Sequence, residues 1–102
     1  MMKTLVSYIK SNNANTPSRK LLGDIVEYFR MSYINLENNE TGMSKFMYYN
    51  SDDLFFPEDG LENYKGVELA IVWSRLVIKI AKAQKNKEAE ELFNNFLKEL
   101  EK

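Results

Sequence analysis

The chain of 102 residues has no cysteine and no histidine, only two prolines and four glycines, and a single tryptophan. Each shortage excludes something. Without thiol or imidazole there is no cysteine- or histidine-ligated zinc, no iron–sulfur cluster, no histidine-held haem, no cysteine nucleophile and no Ser-His-Asp triad. Chemistry is left to carboxylate, Tyr, Lys, Ser and Thr. Disulfide staples are absent as well, so the fold must stand on its core, and the lack of cysteine agrees with a reducing compartment. At this length folding buries roughly two-thirds of the unfolded surface, and a composition that is 44% hydrophobic and 13% aromatic supplies the apolar material for one domain over residues 1–102.

An excess of one charge is missing too. Lysine and arginine number 14 against 15 acids, a net charge of -1, whereas a dedicated nucleic-acid binder usually carries a clear basic surplus. Long apolar runs are also lacking: the longest is residues 69–73, far short of the roughly 18 needed to cross a bilayer. Residues 5–9 are too short and too interrupted to act as the apolar stretch of a secretory signal. The expectation is an intracellular, cytoplasmic protein that does not enter the membrane. No P-loop, GxGxxG fingerprint or nucleophile elbow occurs.

What is present is helical periodicity. Over residues 17–36, Leu21, Leu22, Ile25, Val26, Phe29, Tyr33 and Leu36 recur at steps of three and four, which predicts an amphipathic helix of about five turns. Thr16 is its expected N-cap and Pro17 its first helical residue; Asn38, Asn39 and Gly42 end it. Leu5, Val6, Tyr8 and Ile9 give a shorter segment before it, and residues 11–15 form a polar turn. Gly23 suits a close helix crossing, since glycine inside a helix costs about 1 kcal/mol against alanine.

Residues 66–84 are the most apolar segment. Their β-branched content would allow two short strands, but nineteen residues without a turn signal favour one helix, buried on most sides. Asn86 is then a candidate N-cap, with Glu88, Glu90 and Glu91 near a helix start where acids are favoured. Leu92, Phe93, Phe96, Leu97 and Leu100 form the following apolar face.

The two helical hairpins, residues 3–36 and 66–101, share a layout. A shift of 71 positions lays Leu5, Val6, Ile9, Asn15 and Leu21 on identical residues at Leu76, Val77, Ile80, Asn86 and Leu92. Internal duplication and mere coincidence of two similar hairpins both account for this. Two like hairpins packed as one small domain would leave a groove between the halves for a peptide. Residues 41–65 connect them, and there the pattern is weakest: Phe46, Met47, Tyr48 and Tyr49 suit a short helix from Thr41 or a strand, and residues 51–59 suit a loop anchored by Phe55 and Phe56. The predicted fold class is therefore mainly α, with a short irregular or β-like aromatic segment between the hairpins.

Several groups could carry function. Asp52, Asp53, Glu58, Asp59 and Glu62 offer oxygens to a hard cation, but the EF-hand spacing is absent, so a solvated turn is expected and no metal or cofactor. Lys79, Lys82, Lys85 and Lys87 could meet phosphate, yet Glu88, Glu90 and Glu91 follow at once. A helix-turn-helix reading would put Ser18, Arg19 and Lys20 near bases, with Asp24 and Glu27 on the same side repelling phosphate. Tyr48, Tyr49, Phe55, Phe56 and Trp73 belong to the core by default; any that prove exposed become anchors for a protein partner.

By length, the lack of cysteine and histidine, one glutamine (Gln84), six tyrosines and abundant Ile, Lys and Glu, the chain resembles small orphan proteins of archaeal filamentous viruses. Its eleven asparagines depart from that pattern. Helical bacteriocin-immunity proteins of phages and plasmids are similar by the same measure. Either resemblance implies a non-enzymatic protein that acts by binding another protein; the expected partner is a protein or peptide, and the sequence leaves the oligomeric state open, a homodimer included. The alternative reading is a nucleic-acid-binding, helix-turn-helix-like regulator.

Overall fold

The computed structural model describes residues 2–12, 15–34 and 40–102, and five α-helices lie among them. The helices are α1 (Met2–Asn12), α2 (Ser18–Tyr33), α3 (Gly42–Leu54), α4 (Gly66–Ala83) and α5 (Lys87–Glu101), with a 3₁₀ turn at Leu61–Asn63 before α4. No strand occurs among the described residues. The mainly α expectation holds, and residues 66–83 are one helix and not two strands.

The apolar helix α4 sits at the centre. Leu69, Ala70, Trp73, Ser74, Val77, Ile78 and Ala81 are buried along it, and Val67, Ile71, Val72, Leu76 and Ile80 pack partly buried around them. Trp73 has no exposed surface. Its indole Nε1–H donates to the Leu54 carbonyl at 2.8 Å, so the one polar atom of the ring is satisfied at the end of α3. Phe29 from α2 and Phe93 and Phe96 from α5 close around it. The Phe29 ring centroid lies 4.9 Å from Phe93 and 5.2 Å from Phe96, and Trp73 lies 5.7 Å from Phe93. Such pairs add about 0.5–1.5 kcal/mol each beyond simple burial.

α4 and α5 pack along each other as an antiparallel hairpin, whereas α1 leans chiefly on α4 and α5 and less on α2. Asn12 and Ala83, which end α1 and α4, stand 71 positions apart. The offset thus holds for these helix ends, while the two helix pairs pack differently. The α4–α5 turn is a Schellman closure: Asn86 N–H donates to Ala81 O at 2.9 Å and Lys85 N–H to Lys82 O at 3.0 Å, with Lys85 at φ +57° where glycine is usual. Asn86 ends one helix and starts the next, its side chain accepting from Ala89 N–H at 3.1 Å, the cap expected from sequence.

Four expectations need correction. Pro17 is the N-cap of α2 and not its first helical residue: its backbone is extended (ψ 143°) and its carbonyl accepts Leu21 N–H at 3.0 Å. The helix closes at Tyr33, because Ile34 turns extended after donating to Arg30 O; Leu36, Asn38 and Asn39 lie outside the described residues. No close crossing occurs at Gly23, where an added Cβ would meet nothing within 4 Å.

The fourth correction is the largest. Residues 42–54 are neither irregular nor β-like, and Ser51, Asp52, Asp53 and Leu54 belong to a helix and not to a loop. Thr41 Oγ1 caps α3 by accepting Ser44 N–H at 3.1 Å. Glu88, reaching across from α5, accepts Met43 N–H at 3.0 Å, and Asn86 Nδ2 donates to Gly42 O at 2.8 Å. The N-termini of α3 and α5 therefore meet, with one carboxylate placed where both helix dipoles are positive. Gly42 permits the approach: a Cβ there would stand 2.7 Å from Glu88 Oε2 and 3.0 Å from Asn86 Oδ1.

Candidate functional site

Helix α3 buries Met43, Ser44, Phe46, Met47, Asn50, Ser51 and Leu54, a spacing of three and four that puts one stripe against the core. Three of these seven are polar, and each finds a partner. Ser44 Oγ donates to Tyr33 O at 2.6 Å, and Ser51 Oγ donates to Met47 O. Asn50 Nδ2 donates to Phe46 O at 2.8 Å, and Gln84 Nε2 donates to Asn50 Oδ1 at 2.7 Å.

The opposite face carries Lys45, Tyr48, Tyr49, Asp52 and Asp53, all exposed. Tyr48 is 58% and Tyr49 75% exposed, and their rings meet edge to face with centroids 5.0 Å apart. The pair leaves on the order of 250 Å² of largely aromatic surface in water. None of Lys45, Asp52 and Asp53 forms an ion pair among the described residues.

The five aromatics singled out from sequence therefore separate. Tyr48 and Tyr49 meet the condition of exposure. Trp73 does not, being wholly core, and cannot anchor a partner. Phe55 and Phe56 are half-buried just past the end of α3, and Phe56 is covered by Arg19, whose Cζ lies 4.2 Å from the ring centroid, a cation–π contact. Lys45 went unnoticed in the sequence. Its signal is the i+3 and i+4 spacing from Lys45 to Tyr48 and Tyr49 and on to Asp52 and Asp53, which has meaning only once residues 42–54 are a helix.

The other candidates are dispersed. Ser18 is buried and donates to Tyr64 O at 2.7 Å, Arg19 covers Phe56, and Lys20 pairs with Asp24 at 3.3 Å, so the start of α2 is engaged within the protein. Lys79, Lys82, Lys85 and Lys87 are all exposed. Glu58 and Asp59 line an open depression of about 270 Å³ with Tyr64 and Val72, which includes neither Asp52 and Asp53 nor the tyrosine pair. Among the described residues no group of three or more acids is placed to hold a metal ion, and no helix is long and apolar enough to cross a membrane.

Two further shallow grooves run along α1. One, of about 360 Å³, runs between α1 and α5 over Met2, Lys3, Asn95, Lys98, Glu99 and Lys102. The other, of about 450 Å³, lies between α1 and α2. There Tyr8 donates its hydroxyl proton to Asp24 Oδ2 at 2.6 Å, and that bond, with lesser help from burial and the nearby negative charge, holds the phenol above its ordinary pKa. Both grooves have the volume of a small-molecule site and not of a docked helix. Comparison of the chain with family models, with curated proteins and with solved structures returns no match, so the functional reading rests on this geometry.

Proposed function

We propose that the protein acts without catalysis, by binding another protein through the outer face of α3. One observation carries the reading: two adjacent tyrosines, 58% and 75% exposed, on a helix whose other face is locked into the core. Tyrosine brings large contact area at small conformational cost and is enriched among residues that dominate binding energy. The surrounding charges form no ion pair among the described residues and make a polar rim around the rings, the usual anatomy of a binding patch. A groove between the two halves supports the reading less well, because the α1–α5 groove is small and edged with charge.

The test is a photo-crosslinking residue at position 49 in the producing cells, compared with the same label in a Tyr48→Ala background. A protein captured in the first and lost in the second, with an unchanged melting temperature, is the expected result. Equal capture by both, or none by either, would remove the proposal.

A further inference from the structure

The charges along the exposed face of α3 stand in a definite order. From the N-terminal end the face reads basic, aromatic, acidic: Lys45, then Tyr48 and Tyr49, then Asp52. Lys45 and Asp52 lie two turns apart, about 10.5 Å along the axis, too far to pair within one helix, and neither forms an ion pair elsewhere among the described residues. A two-fold axis through the midpoint of residues 48 and 49 solves this. An antiparallel second α3 places each Lys45 opposite Asp52 of the other copy and each Tyr48 opposite Tyr49 of the other copy. Asp53, one residue on, lies within reach of the same lysine from the flank.

We infer that the occupant of this face is a second copy of the same chain, in an isologous dimer with the four tyrosines at its centre and two Lys45–Asp52 pairs at its rim. This rests on the protein-binding reading above and names its partner. Self-complementarity is what a two-fold interface requires, since one patch must serve both sides. A parallel pairing is disfavoured because it would set Lys45 on Lys45 and Asp52 on Asp52. A basic peptide would satisfy Asp52 and Asp53 but meet Lys45 with like charge, and an acidic one would do the reverse. The contact is small: a helix of thirteen residues is about 20 Å long, and its face covers less than the roughly 800 Å² per partner of a standard interface. A reversible dimer in the micromolar to millimolar range is expected.

The experiment is sedimentation velocity of the intact protein from micromolar to millimolar concentration, with circular dichroism to check the fold. The wild type should pass from monomer to dimer. Lys45→Asp and Asp52→Lys should each weaken self-association about tenfold or more, having turned two attractions into repulsions. Mixing these two variants, or combining both changes in one chain, should restore it. Because both positions are exposed, a loss of structure would not produce that rescue. A wild type that stays monomeric throughout, or a charge reversal without effect, would overturn the dimer. If the chain is monomeric while position 49 still captures a different protein in cells, the dimer fails and the protein-binding reading stands; if nothing is captured, both fail.

Discussion

Asn86 joins three helices, and its replacement should be the most informative single change on the surface of the fold. Its Oδ1 caps α5 at Ala89 N–H, and its Nδ2 holds Gly42 O at the first turn of α3, at 3.1 and 2.8 Å. Asn86→Ala removes both. Loss of an N-cap costs about 1 kcal/mol, and loss of a part-buried amide–carbonyl bond about another 1 kcal/mol, for a total near 2 kcal/mol. Asn86→Ser separates the two, because serine caps a helix about as well as asparagine but is too short to reach Gly42 O; it should cost about 1 kcal/mol. In urea, with a slope of about 1–1.5 kcal/mol per molar for a chain this size, the alanine variant should lower the unfolding midpoint by about 1.5 M and the serine variant by about half that. Two outcomes would refute the reasoning: an alanine variant within about 0.5 kcal/mol of wild type, or serine as damaging as alanine, which would mean that the cap contributes nothing beyond the bridge to Gly42.

Further tests follow from the glycines, the tyrosines and the tryptophan. Gly42→Ala should destabilise by about 1–2 kcal/mol, because its Cβ would displace the Glu88 carboxylate from Met43 N–H. Gly23→Ala, in open space on a helix, should stabilise by about 0.5–1 kcal/mol; equal signs in thermal melts of the two would contradict the geometry. Tyr8 and Tyr33 both have raised pKa values, Tyr8 first through its bond to Asp24 and Tyr33 first through burial. A raised phenol favours the protonated native state, so this stabilisation is complete below the ordinary tyrosine value of about 10 and is lost as pH climbs from there through the raised native value. Tyr8→Phe should flatten the alkaline fall in urea midpoint, and an unchanged slope would deny the linkage. Trp73, wholly buried, should emit as an apolar indole and resist acrylamide until unfolding; ready quenching in the native state would mean that the core is not closed.

Most of the helical frame was legible because apolar spacing and punctuation agreed. The stripe of α2, the continuous apolar character of α4 and the Asn86 cap each follow from local rules that tertiary packing did not override. The α2 start was misread by one residue because Thr16 and Pro17 both suit a helix entry, and the extended backbone at Pro17 decided it. The separation of Trp73 from Tyr48 and Tyr49 was not legible at all. All are aromatic, and which of them meets water depends on where α3 lies against α2 and α5, a packing fact that no local spacing contains.

The failure at α3 carries information of its own. Its seven inner positions 43, 44, 46, 47, 50, 51 and 54 follow helical spacing without a break, but three of them are Ser44, Asn50 and Ser51, while the outer positions 48 and 49 hold tyrosine. Polarity is thus inverted over half the helix, which is why periodicity could not identify it. The inner half of the inversion is compensated: Ser44 bonds to Tyr33 O, Asn50 to Phe46 O and Gln84, and Ser51 to Met47 O, so their burial leaves no polar group unpaired. The outer half is not. Within the monomer, two tyrosine rings in water gain little from packing, and a soluble surface would be better served by polar residues there. Sequences that fold well agree with their own local rules nearly everywhere, and departures concentrate where function is exerted. A departure that packing repays on one side of a helix and leaves unrepaid on the other points to repayment from outside the monomer. The reversed charges that flank the tyrosines are the feature that makes a second copy the fitting source.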